Sequence, residues 1–545
     1  MKLKALIWLT FSMALALSET LSGGVLDSLQ CRFPHELFQK VQDPVVATRL
    51  FYRLLDEIQP YSPRHAKILR QLELDVADIF SDKDRQRYEK LLTHTEKVQY
   101  LQYFWRREDL TGATEVNERL IEHYNRLIYA REAFSALWPR GYDDRGVIYV
   151  KYGQPDERII NTDLAYSDPL ETWAYYKFGD PVTFDFINRG EGYRLVLRFD
   201  EGIKAADAVS RWIAVGKLLD LRRHLSPQWF AMSTEWESLS NEEVGLQQRL
   251  VALDRVINEQ TERITTEQKQ LPVTSTNLFT DQKALPFSSQ IAWFQNGTNQ
   301  HEFAVLLGLH RQDVESASAD TSLQVLAGVG VKAPDHRLLL SRTDTLRFAP
   351  HDSLLEKTWQ FRLGPGHYIF ALDIQVPQTH QREIKSFFSS TGRENPGLKI
   401  SSILFARRVS PSDQIAPDNV LYRNALRIVP YPFRTISREN PMYIYFEVYN
   451  LQKNDEGESY FTIEYSVERQ GKTGIGGFLA KLNPFGGARD RISFSETRRS
   501  QKQRESVYFL VDFHQLVSGA YRFTVRVEDK NAGIRRERSM EVVLN

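Results

Sequence analysis

The sequence predicts a multidomain α+β protein: an N-terminal helical region, a small α/β unit after it, and two β-sandwiches at the C-terminal end. Three observations carry that expectation. Apolar residues recur at helical spacing through residues 34–137, the chain changes to β-branched and aromatic runs from about residue 285, and a Leu-x-x-Gly-x-Tyr pattern occurs twice in that second half. A chain of 545 residues with 42% apolar side chains is long enough for several packed cores.

Leu50, Leu54, Leu55 and Ile58 share one helical face, as do Ile68, Leu69 and Leu72, and Pro60 and Pro63 separate the two helices. The stretch from Glu115 to Leu137 carries Leu120, Tyr124, Leu127, Ile128 and Phe134. Thr114 is its expected N-cap, with Asn117 and Glu118 in the first turn, where negative charge suits the helix dipole. After Pro139-Arg140-Gly141 the pattern changes. Val147-Ile148-Tyr149-Val150 reads as a strand closed by a turn at Gly153-Gln154-Pro155-Asp156, and further strand signals lie at 171–178, 182–187 and 193–199. Residues 204–270 return to helix; Leu246, Leu250, Leu253, Ile257 and Ile264 make an amphipathic packing face covering too few heptads for a coiled coil.

In the second half, Leu363-Gly364-Pro365-Gly366-His367-Tyr368 precedes Ile369–Leu372, and Leu516-Val517-Ser518-Gly519-Ala520-Tyr521 precedes Arg522–Val525. A tyrosine at a corner before a late strand resembles the tyrosine corner of immunoglobulin-like sandwiches. Phe303–Leu309 and Tyr443–Tyr449 are long early strands in the two segments. The expected division is a signal peptide at 1–18, a helical plus α/β domain at 34–203, a helical linker region at 204–284, and sandwiches at 285–408 and 425–545, with Pro411 and Pro417 in the connection.

Lys2 and Lys4 open the chain, Ala5 to Leu17 is apolar, and Ala14-Leu15-Ala16 has the small-x-small form of a cleavage site, which reads as a secretory signal peptide. The apolar stretch is short of the roughly 20 residues a spanning helix needs, and no integral membrane span is expected after cleavage. Lysine and arginine balance aspartate and glutamate to a net charge of zero, so the basic footprint of a nucleic-acid binder is missing. The single cysteine, Cys31, excludes an intramolecular disulfide and a multi-cysteine zinc site, and Gln30 before it argues against lipoprotein processing.

Signatures of catalysis are few. The chain has neither a Gly-x-Ser-x-Gly elbow nor a His-Glu-x-x-His pair, and its twelve histidines lack metal-ligand spacing, so no cofactor or metal is expected. Gly471-Lys472-Thr473 looks like the end of a phosphate loop, but Ser466 stands where its first glycine belongs, and the segment lies among strands. The run Gly474–Gly487 reads as an apolar hairpin connection that either covers its own sandwich or meets a partner.

The densest polar and aromatic stretch is 103–193, with Trp105, Arg106, Arg107, Asp109, Thr111, Thr114, Asn117, Glu118, Asp143, Asp144, Arg145, Asp156 and Glu157. Carboxylates held about 5–10 Å apart serve as acid and base; arginines beside them make ion pairs instead. Asp144-Arg145-Gly146 fits a turn before a strand, held by charge-assisted hydrogen bonds, and the cluster reads as structural before catalytic.

The order Phe104-Trp105, Asp109, Thr111, Thr114, Asn117-Glu118, Tyr124, Arg126, Phe134, then Gly141-Tyr142-Asp143-Asp144-Arg145-Gly146, Tyr149-Val150, Tyr152-Gly153, Pro155-Asp156-Glu157, Trp173, Tyr175-Tyr176, Phe184-Asp185-Phe186 and Gly192-Tyr193 resembles a GWxTD domain over about residues 90–200. Tyr142 replaces the namesake tryptophan, and the segment before Asp144 is one residue short and lacks the threonine. The resemblance implies an exported bacterial protein and supplies no reaction. Its signature positions here are Trp105, Asp109, Asn117, Glu118, Gly141, Tyr142, Asp144, Arg145, Gly146, Gly153, Pro155, Asp156, Glu157 and Trp173.

The expected function is an exported, non-enzymatic binding or scaffold protein of the bacterial cell envelope, in the periplasm, at the surface or in the medium, with a protein or envelope glycan as partner. One alternative is glycan binding or hydrolysis, with Trp173, Tyr175, Tyr176 and Tyr193 stacking on sugars and Asp144, Asp156 or Glu157 as carboxylates. Another is a secretion or assembly accessory that uses the Gly474–Gly487 run.

Overall fold

Capping residues set where the first helices begin. In the computed structural model, which describes residues 24–161, 167–297, 299–315, 322–391, 397–411, 419–470 and 491–545, α1 (Val25–Ser28), α2 (Pro34–Lys40), α3 (Pro44–Glu57), α4 (Pro63–Val76), α5 (Asp82–Glu89), α6 (His94–Glu108), α7 (Glu118–Ala133) and α8 (Asp144–Tyr152) precede the first strand. Asp43, Ser62 and Ser81 cap α3, α4 and α5, and Thr93 with Glu96 forms a reciprocal capping box on α6. The N-terminal export segment, Gly471-Lys472-Thr473 and the Gly474–Gly487 run lie outside the described residues.

Two local expectations are corrected. The cap of α7 is Asn117, whose side chain accepts the Leu120 N–H, so the cap lies three residues beyond Thr114 and the helix starts at Glu118. Val147–Val150 is not a strand but the middle of α8. Buried Gly146, Ile148, Val150 and Tyr152 alternate along the sequence as strand residues would. Asp143, however, caps the Arg145 N–H, and Gly153 at φ +77° ends the helix.

The chain divides into two units, Met1–Leu110 with Glu115–Thr280, and Thr111–Thr114 with Asp281–Asn545. In the first, β1 (Glu157–Asn161), β2 (Leu170–Tyr175), β3 (Val182–Asn188) and β4 (Tyr193–Val196) form an antiparallel meander in chain order. Trp173, Tyr175, Phe184 and Phe186 point into the core of the preceding helices. Leu170, Ala174 and Ile187 point the other way, into a core built with α9 (Ala208–Arg222), α10 (Pro227–Ser240) and α11 (Leu246–Gln270). Helices thus cover both faces, which is why every residue of β2 is buried. Leu253, Ile257 and Ile264 of α11 are buried there, with Leu246 and Leu250 packed beside them. Each fully buried side chain of that size contributes about 1.5–3 kcal/mol.

The second unit is built from sheets, β5 to β23 among the described residues. One has the order β5 (Lys283–Ala284), β12 (Gln381–Ser390), β11 (His367–Val376), β8 (Leu323–Lys332), β9 (Leu338–Phe348), and a second β10 (Leu354–Leu363), β7 (His301–His310), β6 (Ser288–Gln295). The third runs β13 (Lys399–Ile400), β18 (Met442–Tyr449), β14 (Leu404–Pro411), β16 (Leu426–Pro430), β15 (Leu421–Arg423), with β21 (Arg504–Val511) also on β18. The fourth runs β17 (Thr435–Ile436), β23 (Ile534–Leu544), β22 (Gly519–Asp529), β19 (Ser459–Arg469), β20 (Arg491–Ser500).

Alternation of side chains then stacks these sheets. Phe303, Val305 and Leu307 of β7 share a core with β8 and β11, whereas Ala304 and Leu306 share one with β14, β15, β16 and β18. Ile444, Phe446 and Val448 of β18 meet Phe461, Phe523 and Val525 of the last sheet. Four sheets are therefore joined in succession by three cores. Pro411, expected in a connection, is the last residue of β14, and Leu421–Arg423 is a strand. The Tyr368 hydroxyl donates to the Gly364 carbonyl and the Tyr521 hydroxyl to the Val517 carbonyl, both at 2.9 Å, each four residues upstream.

Candidate functional site

Gly141 to Asp143 turn into α8, whose first residues are Asp144 to Gly146, rather than into a strand, and Tyr142, Asp143 and Gly146 are buried. Tyr142 is fully buried and donates its hydroxyl to Asp78 at 2.8 Å; burial, then the Asp78 charge, push its pKa well up. Gly146 faces the same ring so closely that a Cβ there would overlap it, coming within 2.7 Å of the Tyr142 Cβ. Gly146→Ala is expected to lower stability by about 1–3 kcal/mol through overpacking. Thermal unfolding checks this, and an unchanged melting temperature would mean the ring has room to move.

Arg145 is the hub of the turn. It donates to Asp143 at 2.8 Å and to Glu171 at 2.9 Å, and its guanidinium lies 3.7 Å over the Tyr193 ring. Burial works to lower the Arg145 pKa, and the hydrogen bonds to the two carboxylates more than offset it. Both carboxylates are 1% exposed. Glu171 also accepts from Arg158 Nε at 2.7 Å and from the Trp173 indole at 2.6 Å, and Asp143 from the Tyr193 backbone at 3.0 Å. Asp144 pairs with Arg140 at 2.6 Å and accepts from the Leu195 backbone. Acceptor positions that general acid–base chemistry would need are filled by fixed donors.

The remaining signature residues divide into framework and surface. Trp105 is buried edge-on against Phe51, and its carbonyl accepts from the Asn117 amide at 2.5 Å, which ties the cap of α7 to α6. Asp109 is half-buried just after α6, and Glu118 half-buried at the start of α7. Gly153 has φ +77°, which side-chain-bearing residues rarely adopt, and a Cβ there would also meet the Asn277 amide at 2.6 Å; Pro155 after it is buried. Asp156 is exposed and accepts the Tyr176 N–H at 2.7 Å; Glu157 accepts the Tyr176 hydroxyl at 2.9 Å and meets His224 at 2.5 Å. Trp173 and Tyr175 are fully buried.

The structure adds residues that spacing did not single out. Glu122 is bonded by Arg119 at 3.0 Å and Arg126 at 2.6 Å, and Arg126 also donates to the Lys151 and Ser275 carbonyls. Beside them runs an open groove of about 520 Å³, lined by Ile121, Glu122, Arg126, Tyr129, Tyr149 and Leu278. Tyr129 and Tyr149 stack at 4.5 Å, and Tyr129 is 42% exposed. Among the described residues no group of three histidine, cysteine, aspartate or glutamate side chains is placed to hold a metal ion, and no helix is long and apolar enough to cross a membrane. Cys31 is a buried free thiol.

On the other face of the sheet, Thr172 bridges two buried charges, donating to Asp185 at 2.5 Å and accepting from Arg222 Nε at 2.7 Å. Burial pushes the Asp185 carboxyl up to about 6 and the Arg222 guanidinium down to about 10. A folded-state value above the unfolded one means the folded chain binds this proton more tightly. The stability contributed by Asp185 is therefore full below about pH 4 and lost as pH rises through about 6, on the order of 2–3 kcal/mol in all. Asp185→Asn is expected to flatten that part of the stability profile, measured by urea unfolding at a series of pH values; a profile with the wild-type slope would refute the assignment.

Residues 67–212 match the family model of the GWxTD domain, so the chain contains a GWxTD domain in that stretch. No curated protein matches it. Among solved structures it is similar to Escherichia coli alpha-2-macroglobulin activated by porcine elastase, at 11% identity and a TM-score of 0.15, over 47% of this chain and 23% of that one. At that score the likeness carries no argument.

Proposed function

We propose that this GWxTD protein is an exported, non-enzymatic binding or scaffold protein of the bacterial cell envelope. One observation carries the reading: Arg145 of the signature is held in a closed, ion-paired core with Asp143 and Glu171, which ties the helices to the sheet. We read the GWxTD stretch as a structural core module and the paired sheets as immunoglobulin-like sandwiches that present surfaces, a reading supported by the two tyrosine hydroxyls that return to the backbone four residues upstream. The N-terminal charge and apolar pattern supports export through a signal peptide.

Cell fractionation of a tagged protein, followed by crosslinking and mass spectrometry, tests this. Recovery of a reproducible envelope component is expected. An intact N-terminus in the cytoplasm would remove export, and capture of no envelope component by the exported protein would remove the binding role.

A second reading, glycan binding, is favoured by the open groove with the stacked Tyr129 and Tyr149. It moves the sugar platform away from Trp173 and Tyr175, which fill the core. Binding of cell-wall fragments that survives Tyr129→Ala would count against it.

A further inference from the structure

The second unit carries a pocket of about 270 Å³ walled by Trp293, Lys399, Ile400, Arg536, Glu537 and Arg538. Arg536 and Arg538 are two residues apart on β23 and so leave the same face of the strand. That face continues into the core at Val542 and Leu544, so the pocket lies where the apolar interior gives out. Arg538 donates to the Ile400 carbonyl at 3.1 Å and lies 5.0 Å over the Trp293 ring. Trp293 itself is 6% exposed, and its indole N–H is buried without an acceptor.

Among the described residues, charge in this pocket is unbalanced: Lys399, Arg536 and Arg538 have no carboxylate partner there. The one acid of the described wall, Glu537, is held by Arg526 at 3.0 Å. Burial lowers the Arg538 pKa, so its charge is held at a desolvation cost that a bound anion would relieve. Cations in a recess focus field and favour anions, and guanidinium groups match the geometry of carboxylate and phosphate oxygens. The volume is enough for one such group with a few attached carbons.

We propose that this pocket is an oxyanion site that takes a phosphate or carboxylate group presented by a larger ligand. Isothermal titration of the mature full-length chain at low ionic strength, with inorganic phosphate in one arm and acetate in the other, tests it. Saturable binding of at least one anion is expected, weakened tenfold or more in Lys399→Gln/Arg536→Gln and unchanged in the control Arg499→Gln. Preference for phosphate points to a phosphorylated ligand, and preference for acetate to an acidic sugar or peptide carboxylate. If the double variant fails to fold, Arg536→Gln alone, at an exposed position, replaces it. Absence of saturable binding by either anion, wild-type binding by the variant, or equal weakening in the control would overturn the proposal.

Discussion

Glu171→Ala is expected to lower the stability of the first unit by about 3–5 kcal/mol, the range for removing one partner of a buried ion pair. The carboxylate is 1% exposed and accepts from Arg145, Arg158 and Trp173. Arg158 is 36% exposed and can regain water, which trims its share of the loss. Arg145 is 15% exposed and cannot, and Asp143 alone is left to balance it. Glu171→Gln keeps an acceptor for the indole and should fall between wild type and alanine. Denaturant unfolding of the three proteins gives the order directly. A loss under about 1 kcal/mol for alanine would place the carboxylate in the class of surface pairs and contradict a closed core.

Arg423→Ala is expected to do comparable damage in the second unit. Glu447 is fully buried and accepts from Arg423 Nε at 2.8 Å, Tyr445 at 2.7 Å and Tyr449 at 2.9 Å, while Arg423 also reaches Glu302 at 3.3 Å. Without the guanidinium, two buried carboxylates are left without their shared cation. The expected loss at neutral pH is again about 3–5 kcal/mol. Denaturant unfolding against wild type checks this, and a loss under about 1 kcal/mol would show that the buried pair contributes no more than a surface one.

Both residues show what the sequence makes legible and what it hides. The helical spacing of Leu50, Leu54 and Leu55, or of Leu253 and Ile257, is a local property, and the helices it predicts are present. The repeated tyrosines that bond back to the backbone are legible for the same reason, because donor and acceptor lie four residues apart. The α8 segment misleads because Ile148, Val150 and Tyr152 alternate, and the evidence against a strand lies outside the run, in Asp143 before it and Gly153 after it. Glu171, Asp185 and Glu447 look like ordinary polar positions of half-buried strands. Their partners Arg145, Arg222 and Arg423 come from distant parts of the chain, and only tertiary structure shows that each charge is enclosed. A single charge inside a run such as Leu170–Tyr175 was the one local hint.

The doubly covered strand β7 has a consequence for how this chain is made. Ribosomes deliver residues 285–408 before those that follow, and in that interval Ala292, Phe294, Ala304 and Leu306 have only Leu404 and Ala406 of their shared core, because Val409, Leu421, Ile428 and Tyr445 are still to come. A nascent chain paused or cleaved near residue 410 would present that apolar strip to solvent and to other chains, a known route to aggregation. Limited proteolysis or shortened expression ending there should yield sticky, insoluble material, and any attempt to isolate residues 285–408 would do better to carry β14 to β18 with them.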